Sequence, residues 1–120
     1  LSNQETGRLG EKLASACLRK HGYKIVETNY RCAHGEIDIL ARHKHTLVFI
    51  EVKCRRNRDF GLPVEAVTAG KQKKMVAAAL YYLQTHPQEN ENWRIDVVSI
   101  ELAENNKPAK ISIIENAVGG

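Results

Sequence analysis

Leu47-Val48-Phe49-Ile50 is an unbroken apolar run inside a stretch, residues 46–54, that reads as a β-strand. Side chains alternate across a strand, so four consecutive apolar residues require both faces of it to be covered. The sheet must therefore carry packing on each side, and the chain supplies two helices for the purpose. Residues 2–21 place Leu9, Leu13, Ala16 or Cys17, and Leu18 at helical spacing, with Ser2-x-x-Glu5 as a capping box and Gly22 as a stop. Residues 68–86 form the second helix, ended by Pro87. Further strands are predicted at 23–30, 36–42, 93–102 and 109–115, with turns at 31–35 and 105–108. The order is αβββαββ, an α/β fold with a central mixed sheet flanked by helices.

No repeat or linker divides the 120 residues, so one domain, 1–120, is expected, with 116–120 as a loose tail. The apolar run at 76–83 falls far short of the ~20 residues that span a bilayer. No signal-peptide pattern opens the sequence. Cys17, Cys32 and Cys54 are odd in number, widely spaced and without metal-ligand spacing. Neither a disulfide framework nor structural zinc is expected, and the reducing cytoplasm is the natural home.

The net charge of +4 is unevenly placed. Between residues 53 and 74 lie seven basic side chains, Lys53, Arg55, Arg56, Arg58, Lys71, Lys73 and Lys74, against Asp59 and Glu65. The rest of the chain is close to neutral, so this block, part of it a basic loop over 55–63, is what a polyanion would meet.

The strands 36–42 and 46–54, separated by His43-Lys44-His45, read as a hairpin. With Arg42 opposite Leu47 and His43 to Thr46 as the loop, Asp38 falls opposite Glu51 and Glu36 opposite Lys53. Directly opposed side chains share a face. Glu36 with Lys53 is an ordinary ion pair. Asp38 with Glu51 is not, because like charges directly opposed are destabilising. Either one of them is protonated or a cation lies between them. Two hard oxygen ligands suit Mg²⁺ or Mn²⁺. Lys53 on the same face can steady negative charge on a phosphoryl group. Acid, acid and lysine around a divalent ion are what phosphodiester hydrolysis needs.

Asp38 followed after twelve residues by Glu51-Val52-Lys53 resembles the PD-(D/E)xK signature of restriction-endonuclease-like nucleases. Gly10-Glu11, Asn29-Tyr30-Arg31, 35–40 (GEIDIL), 48–53 (VFIEVK) and Phe60-Gly61-Leu62-Pro63 together resemble the YraN family of small bacterial proteins, itself similar to archaeal Holliday junction resolvases. The likeness runs from about Gly7 to about Ile100. It implies a restriction-endonuclease-like fold in which Asp38 and Glu51 bind Mg²⁺, Glu11 on the first helix stands near the metal, and Lys53 positions or activates water. Ile37 stands where the wider superfamily often has proline. The implied activity is metal-dependent cleavage of DNA, branched or structured, and resolvases suggest by analogy a homodimer.

Glu36 is then either a support for the site or a partner of Lys53. Arg55, Arg56 and Arg58, with Lys71, Lys73, Lys74 and Arg31, are the candidate phosphate contacts, and Gln72 is within reach on the second helix. His43 and His45 read as polar turn residues, Tyr81 and Tyr82 as core and interface, and Asp96 as a strand-edge acid. Two other functions fit the same residues: a non-catalytic nucleic-acid-binding module that keeps the nuclease core, and a protein-interaction domain whose basic block meets an acidic partner.

Overall fold

In the computed structural model, which describes residues 3–56, 68–87 and 92–117, Leu47, Val48, Phe49 and Ile50 are each at most 1% exposed. The elements around them are α1 (Asn3–Lys20), β1 (Lys24–Cys32), β2 (Gly35–His43), β3 (Thr46–Arg56), α2 (Ala69–Thr85), β4 (Asn92–Leu102) and β5 (Pro108–Ile114). One sheet holds the strands in the order β1-β2-β3-β4-β5. β3 and β4 run parallel and the other neighbours antiparallel. A parallel pair needs a long crossover, and α2 lies in it. The architecture is the expected αβββαββ with a mixed sheet. Among the described residues no helix is long and apolar enough to cross a membrane, and all three cysteines are free.

The two faces carry separate cores. Met75, Ala78, Ala79, Tyr82 and Leu83 of α2 pack on Leu40, Leu47, Phe49, Ile95 and Val97. Ala14 and Leu18 of α1 pack on Ile39, Ala41, Val48, Ile50, Val98 and Ile100. Leu47 and Phe49 thus face α2 while Val48 and Ile50 face α1.

The β2–β3 register has Arg42 opposite Leu47, as expected, and extends one pair further to His43 opposite Thr46. The turn is therefore only Lys44-His45, whose φ values of 50° and 68° are those of a two-residue hairpin. His43 is not a polar turn residue: it is buried and stacked on Tyr23, with ring centroids 4.1 Å apart. The β1–β2 connection is likewise shorter than the expected 31–35, being Ala33-His34. β3 continues to Arg56, with Arg55 opposite Glu101 and Arg56 opposite Leu102. Both arginines belong to the sheet rather than to a loop, because parallel pairing with β4 persists that far. Ser2, Arg58, Phe60-Gly61-Leu62-Pro63 and the last three residues of the expected tail lie outside the described residues. Asn116 and Ala117, also expected to be loose, are held by hydrogen bonds from their N–H groups to Asp96 Oδ1 (2.9 Å) and to the Ile95 carbonyl (2.8 Å).

Asp96 is not an edge acid. It is fully buried and accepts from Tyr23 Oη (2.9 Å), Arg94 Nε (3.0 Å) and the Asn116 N–H. Arg94 Nη2 also meets His43 Nδ1 at 2.9 Å. This network joins the start of β1, the end of β2, β4 and the chain beyond β5. Burial, with the Asp96 charge beside it, pushes the Tyr23 hydroxyl up to about 12.

Gly10 sets how closely α1 sits on the sheet. A Cβ on it would lie 2.6 Å from Cys54 Cβ, closer than any side chain permits. Glycine in a helix interior is unfavourable by about 1 kcal/mol against alanine, and the close approach to β3 is the reason it stands here. Two outcomes follow. Gly10→Ala lowers stability in urea by about 1–3 kcal/mol despite its better helix propensity. Asp96→Ala lowers it by about 3–5 kcal/mol, because Arg94 and its other donors lose a buried charged partner.

Candidate active site

The β2–β3 ladder ends at Ile39 opposite Ile50, one step before Asp38 and Glu51. On the other side β1 and β2 pair Thr28 with Ile39 and Tyr30 with Ile37, with no pair between Asn29 and Asp38. Asn29 has φ 55°, a left-handed value asparagine tolerates better than most residues. The twofold alternation of β2 breaks here as well: Ile37 packs in the α2-side core and Ile39 in the α1-side core, although they are two residues apart. The local irregularity re-aims Asp38. Its Oδ2 accepts the Val52 N–H at 2.8 Å, in place of a backbone carbonyl.

Glu51 therefore meets Asp38 through side chains where the backbones have parted. Its residue is 4% exposed. Burial first, then a hydrogen bond with Asp38 and the Asp38 charge, push the Glu51 carboxyl up to about 8. Two carboxylate charges ~4 Å apart repel by roughly 4 kcal/mol at an effective dielectric of 20, and a shared proton removes that repulsion. The rise in the Glu51 pKa is in the direction that the protonated alternative requires. Lys71, on the first turn of α2, brings Nζ to 3.2 Å from Glu51 Oε2. The contact sets an ammonium against the buried Glu51 oxygen. Burial works to lower the Lys71 pKa, but the Glu51, Asp38 and Glu36 carboxylates outweigh it and raise it.

Asp38 opens on a cleft of about 320 Å³ that it shares with Thr6, Gly7, Glu11, Val52, Lys53 and Cys54. The close seat of α1 at Gly10 puts Glu11 there. Burial raises the Glu11 pKa, a hydrogen bond from Asn29 opposes this, and the Asp38 charge adds to it. Glu11, Asp38 and Lys53 are thus brought to one cleft, with Glu51 behind Asp38. Among the described residues no three His, Cys, Asp or Glu side chains close on one point to hold an ion. The donor set nevertheless fits a hard divalent cation: two carboxyl groups forced together, with a third acid, Glu11, on the cleft that Asp38 lines.

Glu36 does not meet Lys53. It stands opposite Arg31 on β1, with Arg31 Nε 3.4 Å from its Oε2. The pairing rule held only up to Ile39, and beyond the break β2 follows β1 alone. Arg56 donates from Nη1 to Asn106 Oδ1 at 2.7 Å, and Arg55 is half-buried. Lys73 and Lys74 are exposed on α2, and Gln72 is half-buried beside them. Asn29 stands out in the sequence only through its place in the Asn29-Tyr30-Arg31 motif. A strand-breaking asparagine between Thr28 and Tyr30 was the signal. That Lys71 faces Glu51 rather than solvent was visible only once α2 was packed.

Residues 10–100 match the model of a family described as "Uncharacterised protein family UPF0102". A UPF0102 protein of Syntrophus aciditrophicus (strain SB) is 47% identical over 117 residues, 96% of this chain and 89% of that protein. A UPF0102 protein of Caldicellulosiruptor saccharolyticus is 40% identical over 117 residues, 98% of this chain and 99% of that protein. One from Dictyoglomus thermophilum is 42% identical over 107 residues, covering 89% of this chain and 91% of its own length.

The folded chain keeps the Glu51 proton up to about pH 8, whereas an unfolded chain loses it near the ordinary value of 4.5. Folding therefore takes up a proton between those limits, and metal-free stability falls as pH rises through that window. Glu51→Gln removes this slope, so between pH 4.5 and pH 9 the metal-free variant gains on the order of 5 kcal/mol relative to the parent. Urea titrations of both proteins across that range check it.

Proposed function

The chain belongs to the uncharacterised protein family UPF0102, the YraN family its motifs resemble, and we propose that it is a divalent-metal-dependent nuclease that hydrolyses phosphodiester bonds in DNA. The observation that carries the reading is the Asp38–Glu51 pair, two acids brought together where the β2–β3 ladder ends, with Lys53 and Glu11 on the cleft that Asp38 lines.

Asp38 and Glu51 would hold Mg²⁺ or Mn²⁺, with Glu11 as the third acid near it. The ion would supply Lewis-acid polarisation of a phosphoryl oxygen and make an attacking water more acidic. The chain's own part is positioning. The Val52 N–H fixes Asp38 Oδ2, so the carboxylate is oriented before any ligand arrives. Glu51 must give up its proton to bind a cation, which couples metal affinity to pH. Lys53 Nζ donates to the negative oxygens of the phosphoryl group as charge builds on them. Arg31, Lys71, Lys73, Lys74 and Arg55 supply the positive surface for the backbone. Binding then weakens steeply with salt and carries no base preference, since phosphates are the same in every sequence. Branched or structured DNA is the substrate that the resolvase likeness favours, with a homodimer acting on it.

A second reading rests on the Lys71–Glu51 contact. A lysine already paired with the acid lets the core persist as a metal-free binding module.

Incubation with Mn²⁺ and junction, flap or duplex DNA decides between them. The nuclease reading expects cleavage that falls by about 10²-fold or more in Asp38→Ala and Lys53→Ala. Calorimetry at pH 7 in buffers of different ionisation enthalpy expects release of about one proton on Mn²⁺ binding. Salt-sensitive DNA binding with neither metal uptake nor cleavage supports the binding module. Cleavage equal in parent and variants removes the assigned site.

A further inference from the structure

A second cavity, of about 400 Å³, opens beside the carboxyl pair. Its wall comes from two pieces of chain: the run from Arg31 to Glu36 around the β1–β2 turn, and Lys71 and Lys74 on α2. That volume is within the range of pockets that enclose a small ligand. The two pieces are held together by a close approach. Gly35 has φ 155°, and a Cβ on it would lie 2.8 Å from the Lys74 carbonyl oxygen. Only glycine accommodates both the angle and the contact.

Arg31, Lys71 and Lys74 line the pocket with one acid, Glu36, while Glu51 draws on Lys71 from the far side. The Arg31–Glu36 pair does not use up this charge. The two side chains are 75% and 51% exposed and 3.4 Å apart, a contact that water screens. A guanidinium has five N–H donors, and this contact engages one nitrogen. Lys71 belongs to both cavities, since it lines this one and lies 3.2 Å from Glu51 Oε2. At the rim, the His34 ring lies 5.2 Å from the ring of Tyr81, which is 39% exposed. Tyr82, its neighbour, is in the core, so Tyr81 is the tyrosine with a face available to a ligand.

We propose that this pocket seats the terminal phosphate of a nucleic-acid strand, with the adjoining base against the His34–Tyr81 rings, so that the substrate is engaged by its end. The inference rests on the nuclease reading and narrows its substrate class. An internal phosphodiester carries one negative charge, whereas a terminal phosphomonoester carries about 1.5 to 2 at pH 7. Arg31 and Lys74, with Lys71 shared with Glu51, suit the second. The pocket is shared through Lys71 with the acid pair, so an end held here lies beside the bond to be cut. The rings accept any base, because every base has a face to stack.

The test is fluorescence anisotropy of the whole chain in EDTA, which prevents cleavage. One internally labelled single-stranded DNA is prepared with a 5′-phosphate, with a 3′-phosphate and with both ends hydroxyl. One phosphorylated form is expected to bind about tenfold more tightly than the hydroxyl form, as a charge-assisted contact provides, and the preferred end identifies which phosphate is read. The preference is expected to collapse in Arg31→Ala and in Lys74→Ala, both exposed positions whose loss leaves the core intact, and to persist in Lys110→Ala on β5. Equal binding of the three forms, no binding at all, or a preference that survives both pocket variants overturns the proposal. Mn²⁺-dependent cleavage of the hydroxyl-ended strand is scored separately. An end preference without cleavage supports the pocket and overturns the hydrolytic reading. Cleavage without an end preference does the reverse.

Discussion

The hydrogen bond from the Val52 N–H to Asp38 Oδ2 is the contact on which the rest of the site depends. Two antiparallel strands that stay paired leave no room for a cleft, and two that part leave backbone groups without partners. Here the carboxylate takes the place of the missing carbonyl. The hairpin can open at one position without stranding the Val52 N–H, and the acid that fills the gap is fixed by the same bond. The unpaired Asn29–Asp38 position in β1 and β2 and the change of face between Ile37 and Ile39 mark the break from the other side.

The protein treats its two buried acids in opposite ways. Asp96 is surrounded by donors on every side, with Arg94, Tyr23 and the Asn116 N–H all converging on it. It ties the far end of the sheet together and leaves no valence for a ligand. Glu51 has an acid for a neighbour, and Lys71 Nζ lies 3.2 Å from its Oε2. A buried polar group left in that condition is costly, and it persists where the surrounding packing holds it. Val52 and Cys54, seated against α1 on the other face of the same strand, provide that packing. Charge instability is thus concentrated at one place and structural polarity at the other.

The order of elements, the mixed sheet and its two covered faces were legible because they follow from periodicity, which a sequence displays directly. The hairpin register was legible for the same reason and held from Ile39 to His43. It did not hold for Glu36, which went to Arg31, because register arguments assume a continuous ladder and this one stops. Arg55 and Arg56 read as loop because a basic pair after an apolar run resembles an exit from the sheet. Pairing with β4, distant in sequence, kept them in it. His43 and Asp96 looked peripheral for a similar reason. Each is polar, and partners distant in sequence, Tyr23 for both and the Asn116 N–H for Asp96, make them interior.

By itself the sequence determined which strands would be buried and that Asp38 and Glu51 could not both remain charged in close company, since alternation and Coulomb repulsion act over a few residues. Only the tertiary structure decided that burial raises the Glu51 pKa, that α1 approaches near enough at Gly10 to bring Glu11 to the cleft, and that Arg31, Lys71 and Lys74 surround one pocket. These depend on how helices sit on a sheet. That seating is settled by close contacts between residues far apart in sequence, Gly10 with Cys54 and Gly35 with Lys74, for which no local pattern exists.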